Sequence, residues 1–431
     1  MIAGSVRQVG VSSSAPRVVP VGLLDRYERV RAATMRLTAP LSPEDCALQS
    51  MPDASPAKWH LGHTTWFFET FILERETAHT PFHPAFRVLF NSYYNAVGDR
   101  YPRLQRGLLS RPALEQVLAY RRHVDARMHA LLARDLRDPE MLALVELGIQ
   151  HEQQHQELIL TDLKHLFSCN PLQPAYRTPW PLTSIGPRTM HWLGHAGDLI
   201  ELGHDGTGFA FDNELPRHRA YVAPFEFASH PVTNGEFVAF IEDGGYRRSE
   251  LWLSLGWDTV QAQRWEAPLY WSREGSRFTT FTLHGRANID LHAPVSHVSF
   301  FEADAYGRWA AARLPTEQEW ECAAREVPIV GNFQESGAYH PLASCTVDPA
   351  DEPAQLFGDV WEWTRSAYEP YPGFRPAPGT VGEYNGKFMC NQYVLRGGSC
   401  ATPQSHIRAT YRNFFSPDAR WQFSGIRLAR S

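Results

Sequence analysis

The sequence predicts two domains of different class, an N-terminal four-helix bundle followed by an α+β domain rich in loops. Apolar residues recur at helical spacing through most of residues 19–170, and prolines at 171–190 then break the pattern as a linker. Residues 191–431 carry short strand patterns separated by glycine-rich turn signals. A chain of 431 residues is long enough for two domains that each bury a core.

Helix start and stop signals divide the first domain into four helices behind a flexible leader at residues 1–18. Ser42 opens one short additional turn of helix. A bundle core is a place where facing helices can assemble a metal site. The predicted helices run from Leu23 to Leu37, from the N-cap Ser55 to Leu73, from Pro112 to about Arg134, and from the N-cap Asp138 to about Phe167.

The second domain is predicted to contain fewer helices than strands. Helical pieces are expected at Asn234–Glu242 and Phe301–Ala311, and a third opens at Thr316. There is no internal repeat and no low-complexity tract.

Composition excludes several classes of partner. The 41 Lys and Arg residues against 47 Asp and Glu residues give a net charge of −6, with no basic block, which argues against nucleic acid or an anionic membrane as a partner. No apolar run approaches the ~20 residues of a membrane span, and no secretory signal is visible, so we expect a cytoplasmic protein. The six cysteines lack CxxC spacing and are expected to be mostly buried, reduced thiols.

Two histidines on the fourth helix form the first candidate site. His151 and His155 are four residues apart, roughly 400° of helical rotation, so both imidazoles share one face and can chelate one ion. Glu157 lies about 200° round the helix from His155 and is expected to have a supporting or packing role. A merely polar helix face is the alternative. His60 or His63 on the second helix is a candidate third ligand.

The loop between the second and third helices is too long to be a simple connection. It spans residues 79–106 and carries phenols at Tyr93 and Tyr94 and guanidinium groups at Arg103 and Arg106. Such groups are suited to proton donation and to carboxylate binding.

Four sequence blocks in the second half resemble the formylglycine-generating-enzyme/sulfatase-modifying-factor domain, which has a C-type-lectin-like fold. The oxidase cysteines of that domain would fall at Thr402 and Ile407 here, which argues against formylglycine-generating activity and its copper site. The blocks are Leu314-Pro-Thr-Glu-Gln-Glu-Trp-Glu321, Gly358-Asp-Val-Trp-Glu-Trp-Thr364, Leu395-Arg-Gly-Gly-Ser399, and Tyr411-Arg412 with Gly425-Ile-Arg427.

The first half resembles a DinB-like metal-binding bundle in its Trp59-His60-Leu-Gly-His63 and His151-Glu-Gln-Gln-His155-Gln-Glu157 motifs. Fusion of such a bundle to the lectin-like domain resembles the ergothioneine-biosynthetic sulfoxide synthases, the EgtB family. The resemblance implies that His63, His151 and His155 are iron ligands and that His60 is not.

The resemblance also implies the reaction. The family joins the thiol of cysteine or γ-glutamylcysteine to the imidazole of Nα-trimethylhistidine (hercynine) and oxidises the sulfur with O2 on non-haem Fe(II). Three neutral imidazoles would leave positions on the metal open for these reactants. A phenol near the metal would supply a proton, and we expect Tyr94 ahead of Tyr93 in this role. Packing of both rings under the second domain is the alternative, and some family members carry this tyrosine in the C-terminal domain.

The remaining site residues are also implied by the resemblance. Arg103 and Arg106 match a family pair that holds the carboxylate of the thiol substrate, and surface arginines are the alternative interpretation. Gln154 is expected to hydrogen-bond the trimethylhistidine. Asn413, Phe414 and Phe415 are expected to close the pocket, with aromatic faces available to the trimethylammonium group. Residues 412–416 contain no acidic partner for a glutamyl amine, which favours cysteine as a substrate.

Three other functions are compatible with parts of the sequence. An ovothiol-type synthase would act on histidine, but such proteins usually carry an additional methyltransferase domain. A DinB-like zinc thiol S-transferase would need neither the tyrosines nor the second domain. A non-enzymatic lectin-like module would use the metal only structurally, and structural sites are usually closed by four protein ligands.

Overall fold

A computed structural model describes residues 22–134, 136–178, 188–344, 351–376 and 380–431 of the chain. It has a helical first domain and a second domain of short strands and helices, which confirms the predicted fold class. The leader predicted at residues 1–18, and residues 179–187 of the predicted linker, lie outside the described residues. None of the described helices is both long and apolar enough to cross a membrane.

The four long helices of the first domain agree with the predicted ones to within a few residues. Asp138 is the N-cap of the last, and its carboxylate accepts a hydrogen bond of 3.0 Å from the backbone N–H of Glu140. The predicted N-cap at Ser55 is wrong, because the helix begins after Pro56 and the Ser55 hydroxyl instead accepts from Arg106 at 2.9 Å. The helices are α1 (Leu23–Thr38), α2 (Ala57–Phe71), the short α3 (Phe86–Leu89), α4 (Leu114–Leu132) and α5 (Pro139–Ser168).

A buried carboxylate ties three helices of the bundle together. Glu152 on α5 accepts hydrogen bonds from Arg31 (2.8 Å) and Thr34 (2.6 Å) on α1 and also from Arg121 on α4. Burial alone would raise the pKa of Glu152, but the two arginines outweigh it and lower the pKa to about 2. The carboxylate is therefore ionised and paired inside the bundle.

Replacement of Glu152 by glutamine should destabilise the protein by about 3–5 kcal/mol, because Arg31 and Arg121 would remain buried without their counter-charge. The contribution of the carboxylate is present above its unfolded pKa of about 4.3 and is lost as the pH falls towards 2. Urea unfolding of the metal-free proteins at pH 7 and at lower pH measures both effects. Glu140→Gln, which affects an exposed pair with Arg75, should change stability by less than about 1 kcal/mol. Equal losses for the two variants would contradict the prediction.

The second domain is built from short strands between turns. Three of its helices begin with capping boxes, at Thr233, Ser299 and Thr316. The strands are β1 (Trp192–His195), β2 (Asp198–Leu202), β3 (His218–Val222), β4 (Phe225–Ala228), β5 (Trp271–Glu274), β6 (Arg277–Thr282), β7 (Gly285–Asn288), β8 (Trp361–Ala367), β9 (Tyr393–Arg396), β10 (Asn413–Phe415), β11 (Ser424–Gly425) and β12 (Ala429–Arg430).

These strands form small sheets rather than one large sheet. The order in the four-stranded sheet is β10-β9-β8-β11, with β11 parallel to β8 and the other pairs antiparallel. A three-stranded sheet has the order β1-β4-β12, another is the meander β5-β6-β7, and β2 pairs with β3. The strand β10, at the edge of the four-stranded sheet, faces the first domain and contributes to the site described below.

The helices of the second domain were predicted in part. Three were expected close to their observed positions, but α7 was missed because its Gly256 and β-branched residues give a weak helical pattern. The helices are α6 (Asn234–Glu242), α7 (Ser254–Gln263), α8 (Phe300–Trp309) and α9 (Glu317–Ala324).

The sequence blocks that carry the family resemblance form the core of the second domain. Trp361 and Trp363 are buried on β8, as a core position requires. Between them, Glu362 accepts a hydrogen bond of 2.8 Å from Arg427, and both side chains are fully buried. The aromatic and the charged members of these blocks therefore pack together in the core.

Glu157 joins the two domains. Its carboxylate accepts hydrogen bonds from Trp361 (2.7 Å), Ser399 (2.7 Å) and Thr402 (2.9 Å) of the second domain. The packing role predicted for it from helical geometry is therefore observed, across the domain interface. An apolar cluster continues the same contact and includes Leu160, Leu163 and Phe167 of α5 with Phe281, Leu283 and Phe423 of the second domain.

The described cysteines are free thiols, as expected, but most of them are not buried. Cys46 and Cys400 are buried, Cys322 is partly exposed, and Cys169 and Cys390 are exposed. Cys345 lies outside the described residues.

Candidate metal centre and substrate cavity

Three histidines meet at the centre of the bundle. Helix α5 supplies His151 and His155 from one face, and α2 supplies His63 opposite them. One nitrogen from each ring lies within 4.8 Å of the other two, and the Nε2 atoms of His63 and His151 are 3.1 Å apart. Among the described residues, this is the group of His, Cys, Asp or Glu side chains that is close enough to hold one metal ion. The structure thus groups His63, and not His60, with the predicted pair.

Burial keeps these imidazoles neutral. It lowers the pKa of His63 and of His155 well below the usual range, and it lowers the pKa of His151 to about 3. The Nδ1 of His63 donates to the backbone carbonyl of Phe90 at 2.6 Å, so its Nε2 keeps a free lone pair. Neutral imidazoles with lone pairs directed at one point fit a divalent first-row metal ion, and three protein ligands leave positions on it open.

A cavity of about 730 Å³ opens beside the histidines, between the bundle and the second domain. Such a volume suits small-molecule substrates. Phenols, guanidinium groups and amides converge on it from both domains. The predicted site residues among its lining are Tyr93, Arg103, Arg106, His151, Gln154, His155, Asn413, Phe414 and Phe415.

Arg106 presents an unpaired positive charge to this cavity. It is buried, its guanidinium lies 3.3 Å from the ring centroid of Trp59, and it donates to the hydroxyls of Ser55 (2.9 Å) and Ser92 (3.1 Å). In the part of the chain that the structure describes, no carboxylate forms an ion pair with it. Burial, together with the neighbouring Arg103, lowers the pKa of Arg106 to about 9. A bound anion would offset the cost of burying this charge.

A directional row of hydrogen bonds runs along the cavity wall from the second domain to α5. The Tyr384 hydroxyl donates to Gln154 Oε1, and Gln154 Nε2 donates to the Tyr411 oxygen at 2.7 Å. His406 lies 3.0 Å from the Tyr411 hydroxyl and 2.7 Å from Gln150 Oε1. Because Gln150 Oε1 can only accept, His406 Nδ1 carries the proton and its Nε2 accepts from Tyr411. The row therefore fixes which atom of each side chain faces its neighbour.

Comparisons with known proteins agree with this two-domain arrangement. Residues 26–159 match the DinB superfamily, and residues 195–354 and 350–431 match the sulfatase-modifying factor enzyme 1-like domain. The chain is 35% identical to the hercynine oxygenase of Mycobacterium tuberculosis over 434 residues, which cover 95% of this chain and 99% of that protein. The chain belongs to the hercynine oxygenase family.

Further relatives support both the whole chain and its second domain. The hercynine oxygenase of Mycolicibacterium thermoresistibile is 34% identical over 411 residues, covering 88% of each chain. The formylglycine-generating enzyme of Streptomyces coelicolor is 34% identical over 278 residues, which cover 52% of this chain and 83% of that protein. In this chain, Thr402 and Ile407 occupy the positions where the oxidase cysteines would be expected. The hydroxyl of Thr402 instead donates a hydrogen bond to Glu157.

The structure separates the two tyrosines that the sequence pointed to. Tyr93 lines the cavity, whereas Tyr94 is fully buried behind it, with ring centroids 5.7 Å from Trp66 and 5.1 Å from Phe71. Tyr94 thus packs on side chains of α2 in the first domain, whereas the packing alternative placed both rings under the second domain. A catalytic role for either tyrosine in this hercynine oxygenase family member stays a prediction.

Tyr384 was missed by the sequence reasoning. Its ring centroid lies 5.8 Å from that of His151, it lines the cavity, and burial raises the pKa of its hydroxyl above the usual range. The only available signal was the expectation that some relatives place the tyrosine in the C-terminal domain. No local pattern around Glu383-Tyr384-Asn385 marks it, because it comes from a loop whose position depends on the whole domain.

The other predicted residues reach the cavity in different ways. Arg103 is exposed at the rim and donates to the backbone carbonyl of Asp53. Asn413 and Phe415 are partly buried at the ends of β10, and Phe414 between them stacks on Tyr368 at a centroid distance of 4.0 Å. Asn413, Phe414 and Phe415 therefore line the cavity, and the contact of their aromatic faces with a trimethylammonium group stays a prediction.

Proposed function

We propose that this protein is a non-haem iron, O2-dependent sulfoxide synthase that joins the thiol of cysteine or γ-glutamylcysteine to the imidazole of hercynine in ergothioneine biosynthesis. The observation that carries the proposal is the group of three histidines beside a cavity. The cavity is lined by the guanidinium of Arg106, which has no ion pair in the described part of the chain, and by the buried phenol of Tyr384. The names of the relatives support it. Hercynine oxygenase matches nearly the whole chain, and ergothioneine biosynthesis protein 1 of Schizosaccharomyces pombe matches part of it.

His63, His151 and His155 would hold the iron. When bound, Fe(II) would bring O2 and the thiolate together and lower the pKa of the thiol. The remaining tasks belong to the protein. Polar contacts with the substrates would be strengthened by the buried side chains of the cavity lining, because charges interact more strongly away from bulk water.

Different residues of the cavity lining would bind the two substrates. Arg106, with Arg103 at the rim, would bind the carboxylate of the thiol substrate through paired N–H donors. Gln154 would hydrogen-bond hercynine, and the faces of Phe414 and Phe415 would contact its trimethylammonium group. His151 and His155 also line this cavity, so the imidazole and the sulfur would meet beside the histidine group.

A phenol would donate a proton during the reaction and regain it before the next turnover. Tyr384 is the best placed, because its hydroxyl borders the cavity and stays protonated at neutral pH. Tyr93, which also borders the cavity, is a second donor, and Tyr94 would act only through Tyr93.

The thiol substrate is proposed to be cysteine in preference to γ-glutamylcysteine. Binding the glutamyl amine would need a free carboxylate near the arginines. Glu157 and Asp162 border the cavity, but both oxygens of Glu157 and Oδ2 of Asp162 already accept hydrogen bonds within the protein, and Oδ1 of Asp162 is buried. Asp53 is exposed at the rim.

The proposal is tested by anaerobic reconstitution with Fe(II), followed by hercynine, cysteine and O2. Mass spectrometry should detect a coupled sulfoxide. Histidine in place of hercynine tests an ovothiol-type reaction, and γ-glutamylcysteine in place of cysteine tests the thiol preference. Equal turnover with Zn(II) would contradict an oxygen-activating mechanism, and absence of product with every substrate pair would overturn the proposal.

Replacement of Arg106 by methionine should raise the KM for the thiol substrate by about 10–100-fold, because a charged hydrogen bond is lost from a buried site. The effect on kcat at saturating thiol should be smaller. Initial rates at varied cysteine and fixed hercynine measure both. Arg103→Met is the matched comparison and should give the smaller change, since Arg103 is exposed. A rise in the KM for hercynine alone would place the carboxylate site elsewhere.

A further inference from the structure

His60 lies directly behind the three histidines without belonging to them. Its Nδ1 is 2.8 Å from Nδ1 of His155, and its Nε2 is 3.0 Å from Oδ2 of Asp162. His60 and Asp162 are 2% and 7% exposed. The three side chains form a buried row that ends at a proposed metal ligand, and the proposed function gives His60 and Asp162 no role.

The carboxylate sets the direction of each hydrogen bond in this row. Oδ2 of Asp162 also accepts from the backbone N–H of Ser55 at 2.8 Å, as expected of a carboxylate oxygen, which only accepts. His60 Nε2 must therefore carry a proton, and the Nδ1 of a neutral His60 is then an acceptor. His155 must donate from its own Nδ1. Its Nε2 is left with a lone pair that can bind a metal.

We infer that His60 and Asp162 are positioning residues for the metal ligand His155. They fix the tautomer and the orientation of the His155 ring, and they increase the basicity of the nitrogen that would bind the metal. This inference rests on the three-histidine metal site of the proposed function. It explains why a second histidine stands one helical turn before His63 on α2.

The three ligands differ in how they are supported. His63 donates to a backbone carbonyl, that of Phe90, which no side-chain substitution would remove. The Nδ1 of His151 has no hydrogen-bond partner in the described part of the chain. His155 alone of the three depends on a carboxylate delivered through another side chain, so its support can be tested by substitution.

The test measures the dissociation constant of Co(II) by competition with a chelator, using the full chain. The variants are His60→Leu, which removes the acceptor, and His60→Asn, whose amide oxygen can take the place of Nδ1. We expect His60→Leu to bind Co(II) about 10–100-fold more weakly than the unaltered protein, and His60→Asn to recover most of this loss. The intensity of the Co(II) d–d bands should stay the same, because the number of ligands does not change.

Asp162→Asn provides a second route if His60→Leu does not fold. Its amide oxygen can still accept from His60 while the charge is removed, so the loss of affinity should be smaller than for His60→Leu. Thermal unfolding of the metal-free variants reports on folding separately. Unchanged Co(II) affinity in His60→Leu and Asp162→Asn, or equal losses in His60→Leu and His60→Asn, would overturn the inference. Failure of the unaltered protein to bind Co(II) would instead overturn the metal site itself.

Discussion

Replacement of His63 by alanine is expected to abolish sulfoxide formation and to weaken metal binding beyond the roughly 10–100-fold expected for an outer partner such as His60. His63 is fully buried and faces His151 across 3.1 Å, so its loss leaves two ligands from one helix and none from the other. The midpoint of the Co(II) titration should shift, and the intensity of the d–d bands should also change because solvent replaces one ligand. Metal titration followed by the product assay measures both effects.

His129→Ala is the matched control for this variant. His129 is an exposed histidine of α4 that lies 3.4 Å from Glu28 and does not contact the metal centre. Its replacement should leave metal affinity and turnover unchanged. Retention of full metal affinity by His63→Ala, with loss in His60→Ala, would mean that the ligand and the positioning residue have been assigned the wrong way round.

Replacement of Tyr384 by phenylalanine should lower sulfoxide formation by about 10²–10⁴-fold and divert O2 to oxidation of the thiol alone. The ring, and therefore the packing on Phe211 at 5.4 Å between centroids, is retained, while the hydroxyl that bonds Gln154 is lost. The ratio of coupled sulfoxide to oxidised thiol, measured by mass spectrometry together with O2 uptake, reports the change directly.

Tyr94→Phe and Tyr93→Phe are the comparisons. Tyr94 lies behind the cavity lining, so its hydroxyl should matter little, and Tyr93 should give an intermediate effect. A large loss in Tyr94→Phe with normal product from Tyr384→Phe would return the role to the loop pair that the sequence favoured.

The parts of the fold that follow from local physics were predictable. The cap at Asp138 and the boxes at Thr233 and Thr316 mark helix starts through hydrogen bonds within three residues of sequence. The relation between His151 and His155 follows from helical rotation alone. Ser55 shows the limit of such signals, because its hydroxyl accepts a hydrogen bond from the distant Arg106 and does not cap the helix.

The parts of the site that depend on long-range contacts were not predictable from local patterns. Geometry could not choose between His60 and His63, because both lie near the inner face of α2, and only family resemblance favoured His63. Tyr384 reaches Gln154 across 230 residues of sequence, and the His60–Asp162 contact spans 102 residues. Helix α7 and the buried partners of Glu152 were likewise settled by tertiary packing rather than by propensity.

The row from Tyr384 to Gln150 has a consequence for how this enzyme can be divided. Gln150 and Gln154 come from the bundle, while Tyr384, His406 and Tyr411 come from the lectin-like domain. Three of the four hydrogen bonds in the row cross the boundary, and the bond between Tyr411 and His406 lies within the second domain. A bundle with an intact histidine group would thus retain Tyr93 but lack Tyr384, together with the side chains of the second domain that orient Gln154. Because both domains line the cavity, an exchange of either domain between relatives would have to preserve these hydrogen bonds.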